Sequence, residues 1–189
     1  MDAERLTFAC ATRTEARAAR SFGVTSAVIG IGGRRGLPQG QLVSFGLAGG
    51  LHDELECGTV LDATRVVDAD GLVLWEGGPL GVAGARTGTI LAGDRIVDDP
   101  TERRRLHTRT GADAIDLESG PLARSGRLAG CLRAVSDTPA RALGPLADAV
   151  SSEGRLAWGG LARALVQPRQ TWRALSDVRR ALRRLEEAA

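Results

Sequence analysis

The sequence predicts an α/β fold: a central mixed, twisted sheet covered by helices on both faces, three layers in a single domain spanning residues 1–189. Three observations point there. Short β-prone apolar runs alternate with helix-forming segments as far as Leu146, a pattern that calls for a sheet with covered faces. Several runs close on glycines or on an acidic residue, as strands do where ligands collect at their carboxyl ends. The 189 residues, 43% hydrophobic and 25% charged, suffice for one real core and fall short of two full domains.

Leu6 to Ala11 has strand character and Thr14 to Arg20 follows with helix formers, so the chain opens strand, turn, helix. Val24 to Ile31 is a second strand closing on Gly30, Gly32 and Gly33, with a loop from Gly36 to Gly40. Leu42 to Phe45 is a third, ending in Gly46-Leu-Ala-Gly-Gly50, where missing side chains let backbone approach a ligand or a neighbouring element. Thr59 to Val67, Leu72 to Trp75 and Arg86 to Leu91 are β-prone with glycine-rich turns between them, which predicts a partly antiparallel, curved part of the sheet. A helix starts at Asp99-Pro100, carries Arg103, Arg104 and Arg105 in its later part and stops at Gly111. Ala114 to Leu117 is a strand running into Glu118-Ser119, Pro121 to Leu128 a helix that tolerates Gly126, and Cys131 to Val135 the last strand, ending at Ser136-Asp137. From about 146 to 189, Leu156, Leu161, Leu165, Trp172, Leu175, Val178, Leu182 and Leu185 recur at helical intervals across Pro168, predicting a tail of two amphipathic helices.

All 25 basic residues are arginine, which excludes Schiff-base and phosphate-loop lysine chemistry. A formal charge of +2 implies no nucleic-acid partner. Cys10, Cys57 and Cys131, odd in number and widely spaced, read as buried thiols. With no secretory pattern at the N-terminus and no apolar stretch of membrane-spanning length, the expected location is the cytoplasm. His52 and His107 are isolated and lack ligand spacing, so no metal and no resident cofactor are expected.

Glu15, Glu118 and Asp137 fall at predicted strand ends or helix starts and are the first candidates for chemistry. On spacing alone a plainer reading is stronger, since acidic side chains near helix N-termini serve the dipole and the free amides. Gly30-Ile-Gly-Gly-Arg-Arg35 is equally open to two readings, an anion site of amides and guanidinium groups or an exposed loop with solvated arginines. Gly46 to Gly50 lacks dinucleotide-binding spacing and by itself amounts to a turn.

Four segments taken in order carry a resemblance. Phe45-Gly-Leu-Ala-Gly-Gly-Leu51 with Leu55-Glu-Cys-Gly-Thr-Val60 and Asp68-Ala-Asp70 resembles the GxAGGL…GDVV…D signature of purine nucleoside phosphorylases and methylthioadenosine/S-adenosylhomocysteine nucleosidases. Gly88-Thr-Ile-Leu-Ala-Gly-Asp94 resembles the GxIxSGD strand of that superfamily, Ala114-Ile-Asp-Leu-Glu-Ser119 its V(D/E)MES motif, and Arg133-Ala-Val-Ser-Asp137 its RxxSD motif. Within the superfamily the chain most resembles the hopanoid-associated phosphorylases, through Thr14-Glu-Ala-Arg17 and the tail Gly154-Arg-Leu with Leu165-Val-Gln-Pro168. The stretch between Gly33 and Leu42 is shorter than the helix the family carries there.

The resemblance implies a nucleoside phosphorylase-like fold and an enzyme that cleaves the N-glycosidic bond of an adenosine-type nucleoside, such as adenosylhopane, with release of adenine by phosphorolysis. Hydrolysis of methylthioadenosine, S-adenosylhomocysteine or a futalosine-type nucleoside is the alternative, and a nucleoside-binding protein without catalysis a third. Breaking this bond builds positive charge on the sugar and negative charge on the base, so an anion belongs near the ribose and a proton donor near the purine. By resemblance Glu118 takes the first place, accepting from the ribose 2′ and 3′ hydroxyls, and Asp137 the second, at purine N7, oriented by Ser136. Glu15 matches the carboxylate that activates water in the nucleosidases. Thr12, Ala48, Gly49 and Leu117 then line the sugar and base pocket, while Thr12, Gly32, Gly33, Arg34 and Arg35 are the candidates for inorganic phosphate as co-substrate. Leu47 and Leu117 depart from the family, standing where some nucleosidases place a serine and a methionine. A homo-oligomer and a small-molecule or lipid-linked nucleoside are the expected partners. The tail's first expectation is to cover the core, and Arg163, Arg169, Arg173, Arg179 and Arg180 suit weak association with an anionic membrane surface.

Overall fold

The computed structural model describes residues 6–144, 147 and 168–189. The first predicted tail helix, with Leu156, Leu161, Leu165 and Arg163, and the segment Gly154 to Val166 lie outside the described residues. Strand β1 (Thr7–Cys10) leads into α1 (Arg13–Ala18), which tightens into a 3-10 turn at Ala19–Phe22 before β2 (Thr25–Val28). Then come β3 (Leu42–Gly50), β4 (Val60–Val67), β5 (Val73–Glu76) and β6 (Arg86–Ala92). Helix α2 (Pro100–Thr110), β7 (Ala114–Asp116), α3 (Ser119–Arg124), β8 (Leu128–Asp137) and α4 (Pro168–Glu187) follow, and a 3-10 turn at Ile31–Gly33 lies between β2 and β3.

The strands form one mixed sheet in the order β2-β1-β3-β7-β6-β4-β5, and β8 bridges β3 and β4. Strand β8 runs parallel to β3 and antiparallel to β4, so β3, β8, β4, β6 and β7 close a ring. The closure depends on the glycine run. Gly46 to Gly50 is not a turn: it extends β3, whose end passes from β1 to an antiparallel pairing of Gly49 with Ile115 and Gly50 with Ala114. A Cβ on Gly50 would meet the Asp137 carbonyl and Val135 Cγ1 at 3.3 Å, so small residues let β3, β7 and the end of β8 converge.

Alternation along the strands builds the two faces. Phe8, Val43, Phe45, Leu132 and Ala134 pack with Ala18 and Ala19 at the end of α1 and with Ala181 and Leu185 of α4. On the other face Ala9, Leu42, Cys131 and Val135 share a core with Leu122 and Ala123 of α3. Three rings, Phe8, Phe22 and Phe45, lie with centroids 5.2–5.6 Å apart under α1. The tail helix turns differently from the expectation. Its buried face is Ala174, Asp177, Ala181 and Leu185, whose small alanines admit close approach to the sheet, and Trp172 is 66% exposed.

Two boundaries also shift. Helix α3 ends at Arg124, Gly126 at φ +70° lies in the turn that follows, and Leu128 opens β8 instead of closing a helix. Residues 34–41 contain no helix, in keeping with the short stretch between Gly33 and Leu42. Among the described residues no helix is long and apolar enough to cross a membrane, and no group of His, Cys, Asp or Glu is arranged to hold a metal ion.

Candidate active site

A cavity of about 200 Å³ opens where the carboxyl ends of β1, β6, β7 and β8 meet the second half of β3. Glu15, Glu118 and Asp137, drawn from positions as far apart as 122 residues, all line it, together with Thr12, Ala48, Gly49, Leu117 and Ser136. A second cavity of about 420 Å³ shares Ile31, Arg95, Ile96 and Leu117 with the first and adds Gly32, Arg34 and Arg124. The pair reaches the size range of small-molecule sites.

Glu15 arrives through helix capping. Thr12 caps α1 by accepting from the Glu15 amide at 3.2 Å, and Glu15 Oε2 accepts in return from the Thr12 amide and hydroxyl, each at 2.8 Å. Capping therefore accounts for one of its oxygens. Oε1 accepts from the Leu47 amide at 3.0 Å, tying the carboxylate to β3 at the cavity wall. Gly46 makes room for it, since a Cβ there would lie 2.8 Å from Glu15 Cδ and 2.9 Å from Arg133 Nη1.

Glu118 escapes capping. Although it precedes α3, its side chain makes no cap hydrogen bond. Asp116 takes that place, accepting from the Ser119 amide at 3.0 Å and from its hydroxyl. Glu118 is left 5% exposed on the cavity wall, with Oε1 accepting from the Gly32 amide at 3.0 Å and Oε2 3.5 Å from Arg133 Nη1. Burial, the largest influence, pushes its carboxyl up to about 7; Asp116 and Glu15 add to the rise, and Arg133 and the Gly32 amide oppose it.

Arg133 is the fully buried cation between these acids, 2.5 Å from Asp116 and also donating to Ser44. Its Nε has no partner among the described residues. The motif reading singled out this residue without giving it a role.

Asp137 ends β8, 3% exposed. Oδ1 accepts from the Ser136 hydroxyl and Oδ2 pairs with Arg103. Burial raises its carboxyl above the ordinary range, against the opposing pull of Arg103 and Ser136. Arg103 is a site residue that sequence reasoning missed. Grouped with Arg104 and Arg105 as helix-end charges, it is in fact 1% exposed, with Nε donating to the Val97 carbonyl at 2.7 Å and Nη1 to that of Gly50 at 3.3 Å. Gly49 admits the pair, because a Cβ there would stand 3.2 Å from Asp137 Oδ2 and 3.4 Å from Arg103 Nη2.

The amides of the glycine-arginine loop are engaged within the protein. The Gly32 amide is taken by Glu118 and the Gly33 amide by the Gly30 carbonyl at 3.1 Å, and the Arg35 amide donates to Ile29. Gly33 and Arg35 line neither of the two cavities, and Arg34 reaches the larger one from an exposed position. The two histidines are not isolated either. Their rings stack at 4.5 Å, and His52 Nε2 lies 3.3 Å from Asp113, away from the carboxylate cavity. Cys10, Cys57 and Cys131 are buried and free.

No family model matches the chain, and no curated protein does. Solved structures do. The chain is similar to the Helicobacter pylori 5′-methylthioadenosine/S-adenosylhomocysteine nucleosidase D198N mutant with 5′-methylthioadenosine in the active site, at TM-score 0.55 and 16% identity over 87% of this chain and 99% of that one. It is similar to a futalosine hydrolase mutant of Helicobacter pylori, at TM-score 0.54 and 14% identity over 89% and 97%. The Campylobacter jejuni methylthioadenosine/S-adenosylhomocysteine nucleosidase gives 0.54 and 17% over 97% and 99%. At such identities the likeness speaks for architecture: this chain has the nucleoside phosphorylase/nucleosidase-like α/β fold.

Proposed function

We propose that this protein hydrolyses the N-glycosidic bond of an adenosine-type nucleoside, releasing adenine. The observation that carries it is the charge inventory of the cavity. Four acids, Glu15, Asp116, Glu118 and Asp137, line it, and its two arginines are already engaged, Arg95 with Glu102 and Arg103 with Asp137. Arg133 behind the wall is committed to Asp116 and Glu118. With Asp137 carrying its proton, Arg103 still has Asp98 at 3.7 Å, and Glu15, Asp116 and Glu118 remain, so the cavity suits a developing sugar cation and a neutral nucleophile better than a phosphate dianion. The nucleosides named with the similar structures, methylthioadenosine above all, support the choice of substrate class.

In this reading Glu118 accepts from the ribose 2′ and 3′ hydroxyls and faces the oxocarbenium-like transition state. Asp137 gives its proton to N7 of the departing base, and its pKa, raised by burial, keeps that proton available nearer neutrality. Glu15 takes the proton of the attacking water. Ala48, Gly49 and Leu117 line the walls for base and sugar.

Phosphorolysis, as in the hopanoid-associated phosphorylases, is the second reading, and one observation favours it: Arg34 and Arg124 line the adjoining cavity, where an anion would find cationic side chains. Adenine release from methylthioadenosine, S-adenosylhomocysteine and a lipid-linked adenosine, followed by mass spectrometry with and without phosphate, separates the two. Turnover without phosphate is expected, yielding the free sugar; strict dependence on phosphate with a sugar 1-phosphate product overturns the hydrolytic reading. Binding without product, unaltered in Glu118→Ala and Asp137→Ala, overturns both.

A further inference from the structure

The partner of Asp137 has a second partner of its own. Arg103 Nη2 pairs with Asp137 and lies 3.7 Å from Asp98 Oδ1, so one buried guanidinium stands between two carboxylates. Its other contacts, to the Val97 and Gly50 carbonyls, fix its base without neutralising it. Asp98 is itself anchored, accepting from the Leu143 and Gly144 amides at 2.9 and 3.0 Å. Those amides belong to the strap that leaves Asp137, a segment closed by the bridge between Thr138 and Arg141 and pinned to α4 by Arg141 and Asp177. Leu143 of the strap lines the cavity.

An acid held this way faces a conflict. A carboxylate paired to a buried arginine resists protonation, yet Asp137 must enter the reaction carrying a proton. We propose that Arg103 and Asp98 act as positioning residues for Asp137: Arg103 shifts toward Asp98 when Asp137 carries its proton and closes on Asp137 once the proton has gone to the base. This rests on the reading of Asp137 as proton donor. Through the step, the bond between the sugar C1′ and the base nitrogen breaks with its electron pair going to the base. The Asp137 proton goes to N7, water bonds to C1′, and the water proton goes to Glu15. Asp137 is left as a carboxylate beside Arg103, and solvent carries the proton from Glu15 back.

The charged surroundings of Asp137 assign the effect to this trio. Ser136 on β8 donates to it, Arg103 comes from α2, and Asp98 from the segment before α2. Cys57, between β3 and β4, has its thiol pushed up first by burial and then by Asp177, with Arg141 opposing and Asp137 adding a smaller push. Across the cavity stand Glu15, Asp116 and Glu118. Among these groups Arg103 holds the proton off Asp137 and Asp98 favours it.

The test is the basic limb of the kcat profile against pH, for adenine release by the intact protein. Asp98→Asn leaves Arg103 wholly to Asp137 and is expected to move the limb down by about one pH unit, whereas Arg103→Met frees Asp137 and moves it up by about 1–3 units. Asp177→Asn loosens the other anchor of the strap without touching the trio and is expected to leave the limb in place. A structural role alone lowers activity without opposite displacements. If Arg103→Met fails to fold, Asp98→Asn against Asp177→Asn decides. Equal limbs in those two variants, or displacement in the same direction by Asp98→Asn and Arg103→Met, overturn the proposal. Wild-type rates in Asp137→Asn overturn the reading of Asp137 beneath it instead.

Discussion

Replacing Glu118 by glutamine keeps the shape of the side chain and an oxygen for the Gly32 amide, and removes only the charge. Activity and stability are expected to move in opposite directions. Removing the anion that faces the developing sugar cation costs about 10²–10³ in kcat/KM, the scale of losing one preorganised electrostatic group. The carboxyl is raised from 4.5 to about 7 by the fold, so its contribution to stability is fully present below pH 4.5 and is lost as pH rises through about 7. At 1.36 kcal/mol per decade, ionising Glu118 in the folded protein costs about 3 kcal/mol above that range. Glutamine carries no such cost, so Glu118→Gln is expected to melt higher than wild type at pH 8 and alike at pH 4.5. In kcat/KM against pH, which reports the free enzyme, the wild type is expected to lose activity on the acid side with a midpoint near 7, and the variant to lack that limb. An acid limb whose midpoint stays near 7 in Glu118→Gln, or a variant no more stable at pH 8, would refute the assignment of the raised carboxyl to ribose recognition.

Three further outcomes follow from the same packing. Gly46→Ala drives a methyl into the Glu15 carboxylate and Arg133, and is expected to cost about 1–3 kcal/mol, read as a Tm drop of roughly 2–4 °C per kcal/mol. Arg133→Met strands Asp116 and Glu118 and is expected to lose about 3–5 kcal/mol in urea unfolding at pH 8. That deficit shrinks toward pH 5, because the stranded carboxyls bind protons more readily folded than unfolded and their cost disappears as they do. Asp177→Asn breaks the bidentate contact with Arg141 beside the buried Cys57, and faster alkylation of that thiol in the native protein is the expected readout.

The parts legible in the sequence are those where a residue's type and its place in the chain say the same thing. The strands ending at Cys10, Asp116 and Asp137 are legible to within about a residue, as runs to Ala11, Leu117 and Asp137, and the acids Glu15, Glu118 and Asp137 come out together because motifs in fixed order place strand ends side by side. The plainer account of acids near helix starts holds in part for Glu15, which is half of a capping box, and fails for Glu118 because Asp116 caps α3 in its stead. Nothing local separates those two cases. Only the third coordinate shows which of Asp116 and Glu118 turns to the helix and which to the cavity.

Arg103 marks the limit more sharply. In sequence it is the first of three arginines in a polar helix, indistinguishable from Arg104, which pairs with Asp53 at the surface. In the structure it is buried, donating to the Gly50 carbonyl, and it reaches Asp137 because Gly49 leaves no side chain in the way. The glycine run leaves space for close approach of a ligand or a neighbouring element, and part of that space belongs to the protein's own guanidinium. The same residues that close the ring of strands therefore admit the cation that controls the Asp137 carboxylate. A substitution at Gly49 is accordingly expected to alter the proton balance of the site as well as its shape, and to reveal itself in the pH profile before it shows in folding.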